Sequence, residues 1–115
     1  MVTLETFRQL ALSFPEAIEQ LHFDKPSFRV KKIFATLDLK NNRACLMLSE
    51  IDQSVFCAID QSIIYPVPNK WGKGGATYVE LKTVSKGVLK DALKQAYNKC
   101  IDKKPTANKP NRIRK

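Results

Sequence analysis

The chain has 115 residues, of which 43% are hydrophobic and 27% charged, so it can build one hydrophobic core and is too short for two. Its net charge is +9, but residues 103–115, KKPTANKPNRIRK, supply six of the basic side chains and no acid, which leaves the rest only mildly basic. Apolar runs such as CLML are far shorter than the roughly 20 residues of a membrane span, and the start MVTLETFRQL carries Glu5 and lacks the layout of a signal peptide.

The first expected element is a helix over residues 3–13, where Leu4, Phe7, Leu10, Ala11 and Phe14 recur at three- and four-residue spacing. Pro15 stops it. A polar connection over residues 16–25 is extended or irregular. SFRV then alternates, Lys31-Lys32 reads as a tight reversal, and IFATLDL and ACLMLS follow as two further strands joined by the turn KNNR. These three strands form an antiparallel meander.

Ser49 is a helix N-cap with Asp52 three residues on, so a short helix is expected over residues 50–60, with Ile51, Val55 and Ala58 or Ile59 turned inward. SIIYPV is a strand, confined by Pro66 and Pro68 to an edge or an end. ATYVEL places Thr77, Val79 and Leu81 on one face and Tyr78 and Glu80 on the other. Ser85 caps a long last helix whose stripe runs from Val88 to Ile101, with Lys86, Lys90 and Lys94 on the solvent side. The fold class is therefore α+β: two layers, an antiparallel five-stranded sheet with helices packed on it, in the order α-β-β-β-α-β-β-α. The domain occupies residues 1–102, followed by a flexible basic tail over 103–115.

Chemistry-bearing groups are sparse. His22 is the sole histidine, so no histidine pair exists for a metal, and a catalytic triad would have to be built around one ring. Glu16, Glu19 and Asp24 are spaced as solvated charges. Cys45, Cys57 and Cys100 form no CxxC pair and lie in apolar segments, as free thiols of a reducing compartment do. The expectation is a cytoplasmic protein, not an enzyme, with no cofactor and no metal.

The segment NKWGKGGATYVEL mimics a phosphate cradle, but a P-loop runs from a strand into a helix, and here Gly74-Gly75 leads into a strand. Its simplest reading is a turn whose glycines take positive dihedrals. The same residues offer a nucleic-acid surface: Lys70 and Lys73 for phosphates, Trp71 for stacking, and Lys25, Arg29, Lys31 and Lys32 as a second positive edge. Two basic fingers result if both loops project from one end of the sheet.

The series LSFPEAIEQLHFDKPSFRVKKIFATL, LMLSEIDQ, PVPNKWGKGGATYVEL and LKDALKQAY, taken in that order, resembles the MmcQ/YjbR family over residues 3–101. The resemblance implies a small α/β domain with the element order above, similar to the secretion chaperones and to CyaY. It also implies a DNA-binding role, a label that rests on shape. The functional expectation is a non-enzymatic protein that contacts double-stranded DNA mainly through phosphate charge, with low sequence specificity, as a monomer away from membranes. The alternative is a protein-interaction or chaperone-like adaptor that uses an exposed sheet face or edge.

Overall fold

Thr3 opens the structure by capping helix α1 (Leu4–Leu12), its hydroxyl accepting from the Thr6 amide at 3.0 Å. The computed structural model describes residues 2–22, 25–68 and 70–101. After α1 the chain reverses through Glu16, which has φ 65. It continues as β1 (Ile18–His22), β2 (Lys25–Arg29), β3 (Ile33–Asp38) and β4 (Arg43–Met47), then α2 (Glu50–Cys57), β5 (Ile64–Pro66), the one-turn α3 (Lys70–Lys73), β6 (Ala76–Glu80) and α4 (Lys86–Ile101). The segment 103–115, expected as a basic tail, lies outside the described residues.

The strands make one antiparallel sheet in the order β1-β2-β3-β4-β6-β5. The expected five strands become six, because the polar connection contains β1. That strand escapes sequence reading because it is an edge: Ile18 and Leu21 are 53% and 72% exposed, so no buried face imposes an alternation. It is tied to α1 by Arg8, whose guanidinium lies 2.9 Å from Glu19. The added turn α3 likewise replaces what reads as loop.

The helices cover one face of the sheet, with α4 lying on β3 and β4 and touching α1 and α2. Phe28, Leu37, Leu46, Val79 and Ile64 point into this layer together with Phe7, Leu89 and Leu93. A register irregularity at Phe28/Arg29 accompanies the burial of both Phe34 and Ala35, breaking strict alternation at the start of β3. Phe34 meets Phe14 and Tyr97 edge-on at 6.3 and 5.8 Å, and the Tyr97 hydroxyl donates to the Pro15 carbonyl at 2.9 Å. This aromatic cluster fastens the α1–β1 link to α4.

Helix α2 is rotated relative to the sequence expectation. Phe56 and Cys57 are buried, while Ile51, Val55 and Ile59 are 77%, 57% and 56% exposed. Two forces set the rotation. Phe56 brings the largest apolar area in the helix, and the Gln53 amide donates to the Gly72 and Ala76 carbonyls and to the Thr77 hydroxyl at 2.9, 3.1 and 3.1 Å.

The two borders of the sheet differ. β5 is three residues long, ends in Pro66 and packs against α2, whereas β1 is five residues long, contains no proline and has no described strand on its outer side.

Gly75 has φ +108, and a Cβ there would stand 1.8 Å from the Leu48 carbonyl oxygen. Gly87 is exposed near the start of α4 with nothing within 4 Å of such a Cβ. Gly75→Ala should therefore cost about 3 kcal/mol or more, while Gly87→Ala should stabilise by about 0.5–1 kcal/mol. Denaturant unfolding of both variants checks the pair, and equal effects would contradict the assigned roles.

Candidate nucleic-acid interface

The loop WGKGG contains α3, whose single turn uses its own amides: Gly74 N–H donates to the Lys70 carbonyl and Gly75 N–H to the Gly72 carbonyl, both at 3.1 Å. These N–H groups are not turned toward an anion. Gly72 is backed against Val67, where a Cβ would stand 1.8 Å from the carbonyl oxygen. Gly72 and Gly75 both serve close backbone approach.

Sheet register locates the cations. Arg29 stands opposite Ile33, Ala35 opposite Leu46 and Met47 opposite Ala76. Residues 30–32, after β2, and α3, before β6, therefore emerge at the same end of the sheet. Three strand spacings separate β2 from β6, about 14 Å. Arg29, Lys31, Lys32, Lys70 and Lys73 are all exposed there. The C-terminal turn of α4 reaches this end too, since Cys100 Sγ lies 3.9 Å from the Ile33 carbonyl oxygen and the Lys99 ammonium donates to the Leu48 carbonyl at 3.2 Å. Trp71 belongs to α3.

Lys25 is not part of this group. It pairs in register with His22 at the opposite end of β2, four residues from Arg29, or about 13 Å along the strand. The cationic end also carries acids, Glu50 and Asp52 in the first turn of α2.

A second cluster, which the sequence reading missed, occupies the uncovered sheet face. The Arg43 guanidinium lies 3.7 Å from the centre of the Tyr78 ring, donates from Nε to Asp38 at 3.2 Å, and reaches the Tyr65 hydroxyl at 3.3 Å. Tyr65 in turn donates to the Glu80 carboxylate. The available signal was the outward period of Arg43, Tyr78 and Glu80, but only the register Arg43↔Glu80 and Cys45↔Tyr78↔Tyr65 joins it. Beside it is an open cavity of about 240 Å³ lined by Lys25, Thr36, Cys45, Met47, Val67 and Tyr78.

The cluster is electrostatically closed. Burial pushes the Asp38 carboxyl up, but hydrogen bonds from Asn41 and Arg43 outweigh it and hold its pKa below the ordinary value. Burial, followed by the Glu80 carboxylate, pushes the Tyr65 phenol up, so it donates as a neutral hydroxyl at pH 7. The Arg43 charge is thus committed within the protein. Burial also raises the thiols of Cys45, Cys57 and Cys100, all free, so each is protonated at neutral pH. Among the described residues no three His, Cys, Asp or Glu side chains are grouped to hold a metal ion, and no helix is long and apolar enough to cross a membrane.

This arrangement defines the class: a two-layer α+β domain with its helices on one face of a six-stranded antiparallel sheet. The YjbR family model matches residues 12–99, and the chain belongs to that family. No curated protein sequence matches the chain. Among solved structures, the crystal structure of Deinococcus radiodurans protein DR2400, which carries the domain DUF419, is similar with a TM-score of 0.77 at 21% identity. The match covers 90% of this chain and 81% of that one, and it speaks for the fold alone.

The depressed Asp38 pKa stabilises the fold above the unfolded carboxylate value of about 3.9, and this contribution disappears as pH falls through the folded value. Asp38→Asn should cost about 1–2 kcal/mol at pH 7. Urea titrations at pH 7 and in acid should show the gap between wild type and variant closing as the pH falls; a gap that stays constant would remove Asp38 from the acid limb.

Proposed function

We propose that this domain is a non-enzymatic nucleic-acid-associating module that grips duplex DNA through backbone phosphates, with little reading of base sequence. One observation carries the reading: the β2–β3 connection and α3 emerge at one end of the sheet, bringing exposed Arg29, Lys31, Lys32, Lys70 and Lys73 together. The two groups are about 14 Å apart, close to the roughly 12 Å width of the major groove, so each suits one of the two phosphate strands that border it. Lysines presented on short connections are long, mobile donors suited to phosphate charge, whereas base reading favours fixed bidentate groups. Arg43 is occupied by Asp38, Tyr65 and Tyr78.

Each phosphate neutralised on duplex DNA contributes about 0.9 to the slope of log affinity against log salt. The four-site variant Lys31→Ser, Lys32→Ser, Lys70→Ser, Lys73→Ser should lower that slope by about 2–4 and weaken binding equally for unrelated sequences. A second variant with Lys109, Arg112, Arg114 and Lys115 changed to serine should keep most of the dependence on the first four. Fluorescence anisotropy of labelled duplex and single strands across a salt series tests this. Unchanged binding by the four-site variant, or loss of all binding in the tail variant, would end the proposal.

A further inference from the structure

The outward face of α2 carries two large apolar side chains one turn apart, Ile51 and Val55, exposed to 77% and 57%, and Ile59, in the turn that follows the helix, is 56% exposed. Ile51 and Val55 stand about 6 Å apart along the axis, on the side of the helix opposite buried Phe56 and Cys57, and with Ile59 make an apolar stripe. Helix propensity does not account for β-branched residues at solvent-facing positions, since they rank below Ala, Leu, Lys or Glu there. Flanking the stripe is a cleft of about 430 Å³ between α2 and β5, lined by Gln53, Ser54, Cys57, Ala58, Tyr65 and Pro66. An apolar stripe beside a cleft is the form of surface that receives an amphipathic helix.

Charge identifies the guest. Residues 49–63 contain Glu50, Asp52 and Asp60 and no lysine or arginine, in a chain with 20 basic side chains. Asp60 stands at one end of the stripe, and Glu50 and Asp52 stand at the other, where the Lys99 ammonium reaches the Leu48 carbonyl. We infer that α2 and the adjoining cleft are a docking site for a basic amphipathic helix of a partner protein, with apolar residues at three- and four-residue spacing on the stripe and lysines or arginines opposite Glu50, Asp52 and Asp60. A second copy of this chain fits poorly. Antiparallel pairing of two α2 helices would set Glu50 and Asp52 of one against Asp60 of the other, and three side chains fall well short of the about 1,200–2,000 Å² of a stable interface. An anionic lipid surface is opposed by the same acids. The inference uses residues other than the DNA-facing cations, although Glu50 and Asp52 lie at the same end of the sheet as those cations, and the peptide titration reads the α2 surface by its own shifts.

The test uses the full chain and three synthetic helical peptides: leucines at three- and four-residue spacing with lysine flanks, the same leucines with glutamate flanks, and a lysine–serine peptide of the first peptide's charge. Backbone amide chemical shifts follow titration. The lysine–leucine peptide should bind in the micromolar range, with shifts concentrated in α2, β5 and their connection. The other two peptides should bind at least tenfold more weakly. The double variant Ile51→Ser, Val55→Ser removes only exposed side chains, so it should keep the native spectrum and lose at least tenfold in affinity. Any one of several results overturns the inference: equal binding of glutamate and lysine peptides, no measurable binding, or affinity unchanged in the double variant. So does a concentration-dependent dimer abolished by that variant, or flotation with anionic vesicles that the variant abolishes.

Discussion

The Gln53 side chain joins three elements, α2, α3 and β6, through hydrogen bonds. Its amide spans the carbonyls of Gly72 and Ala76 and the hydroxyl of Thr77, linking α2 to α3 and to the start of β6. Thr77 is fully buried and passes the chain of bonds on to the Gly75 carbonyl at 2.9 Å. Buried or half-buried polar groups of this kind specify geometry because leaving any of them unpaired costs about 1–3 kcal/mol. With Gln53 facing the sheet, α2 can present only its opposite side to solvent, and α3 is held where Lys70 and Lys73 project from the sheet end.

Charge in this domain is sorted by place. The uncovered sheet face holds a closed set in which Asp38, Tyr65 and Tyr78 absorb Arg43, and the neutral Tyr65 hydroxyl donates a hydrogen bond to Glu80. The strand ends hold lysines on connections, where solvent screens them and rotamer freedom is kept. Helix α2 holds acids around an apolar stripe. The moderate excess of positive charge over residues 1–102 thus hides surfaces of opposite sign, and an average over the domain describes neither.

The parts legible in the sequence were those governed by local chemistry. Thr3, Ser49 and Ser85 begin helices, with Ser49 and Ser85 accepting from Asp52 and Val88 at 3.1 and 3.2 Å. Tyr78 and Glu80 alternate against Val79 as read, and Lys86, Lys90 and Lys94 are solvated. The parts that were missed depend on distant partners. β1 is a strand because β2 offers it hydrogen bonds, while its own side chains are mostly exposed or half-buried. The rotation of α2 depends on acceptors some 20 residues further along the chain, and apolar residues on both of its sides made either facing admissible. The basic residues were visible one by one, but their common end follows only from the register of β2, β3, β4 and β6.

The unequal borders of the sheet carry a consequence for self-association. Two molecules aligned along β1, which has no described strand on its outer side, would leave only β5 borders outside, each short, ending in Pro66 and backed by α2. Further stacking would have to use those short β5 borders, where the ladder is three residues long. A sheet left sticky along both borders would polymerise under the same conditions; here the growth stop is built into a three-residue strand.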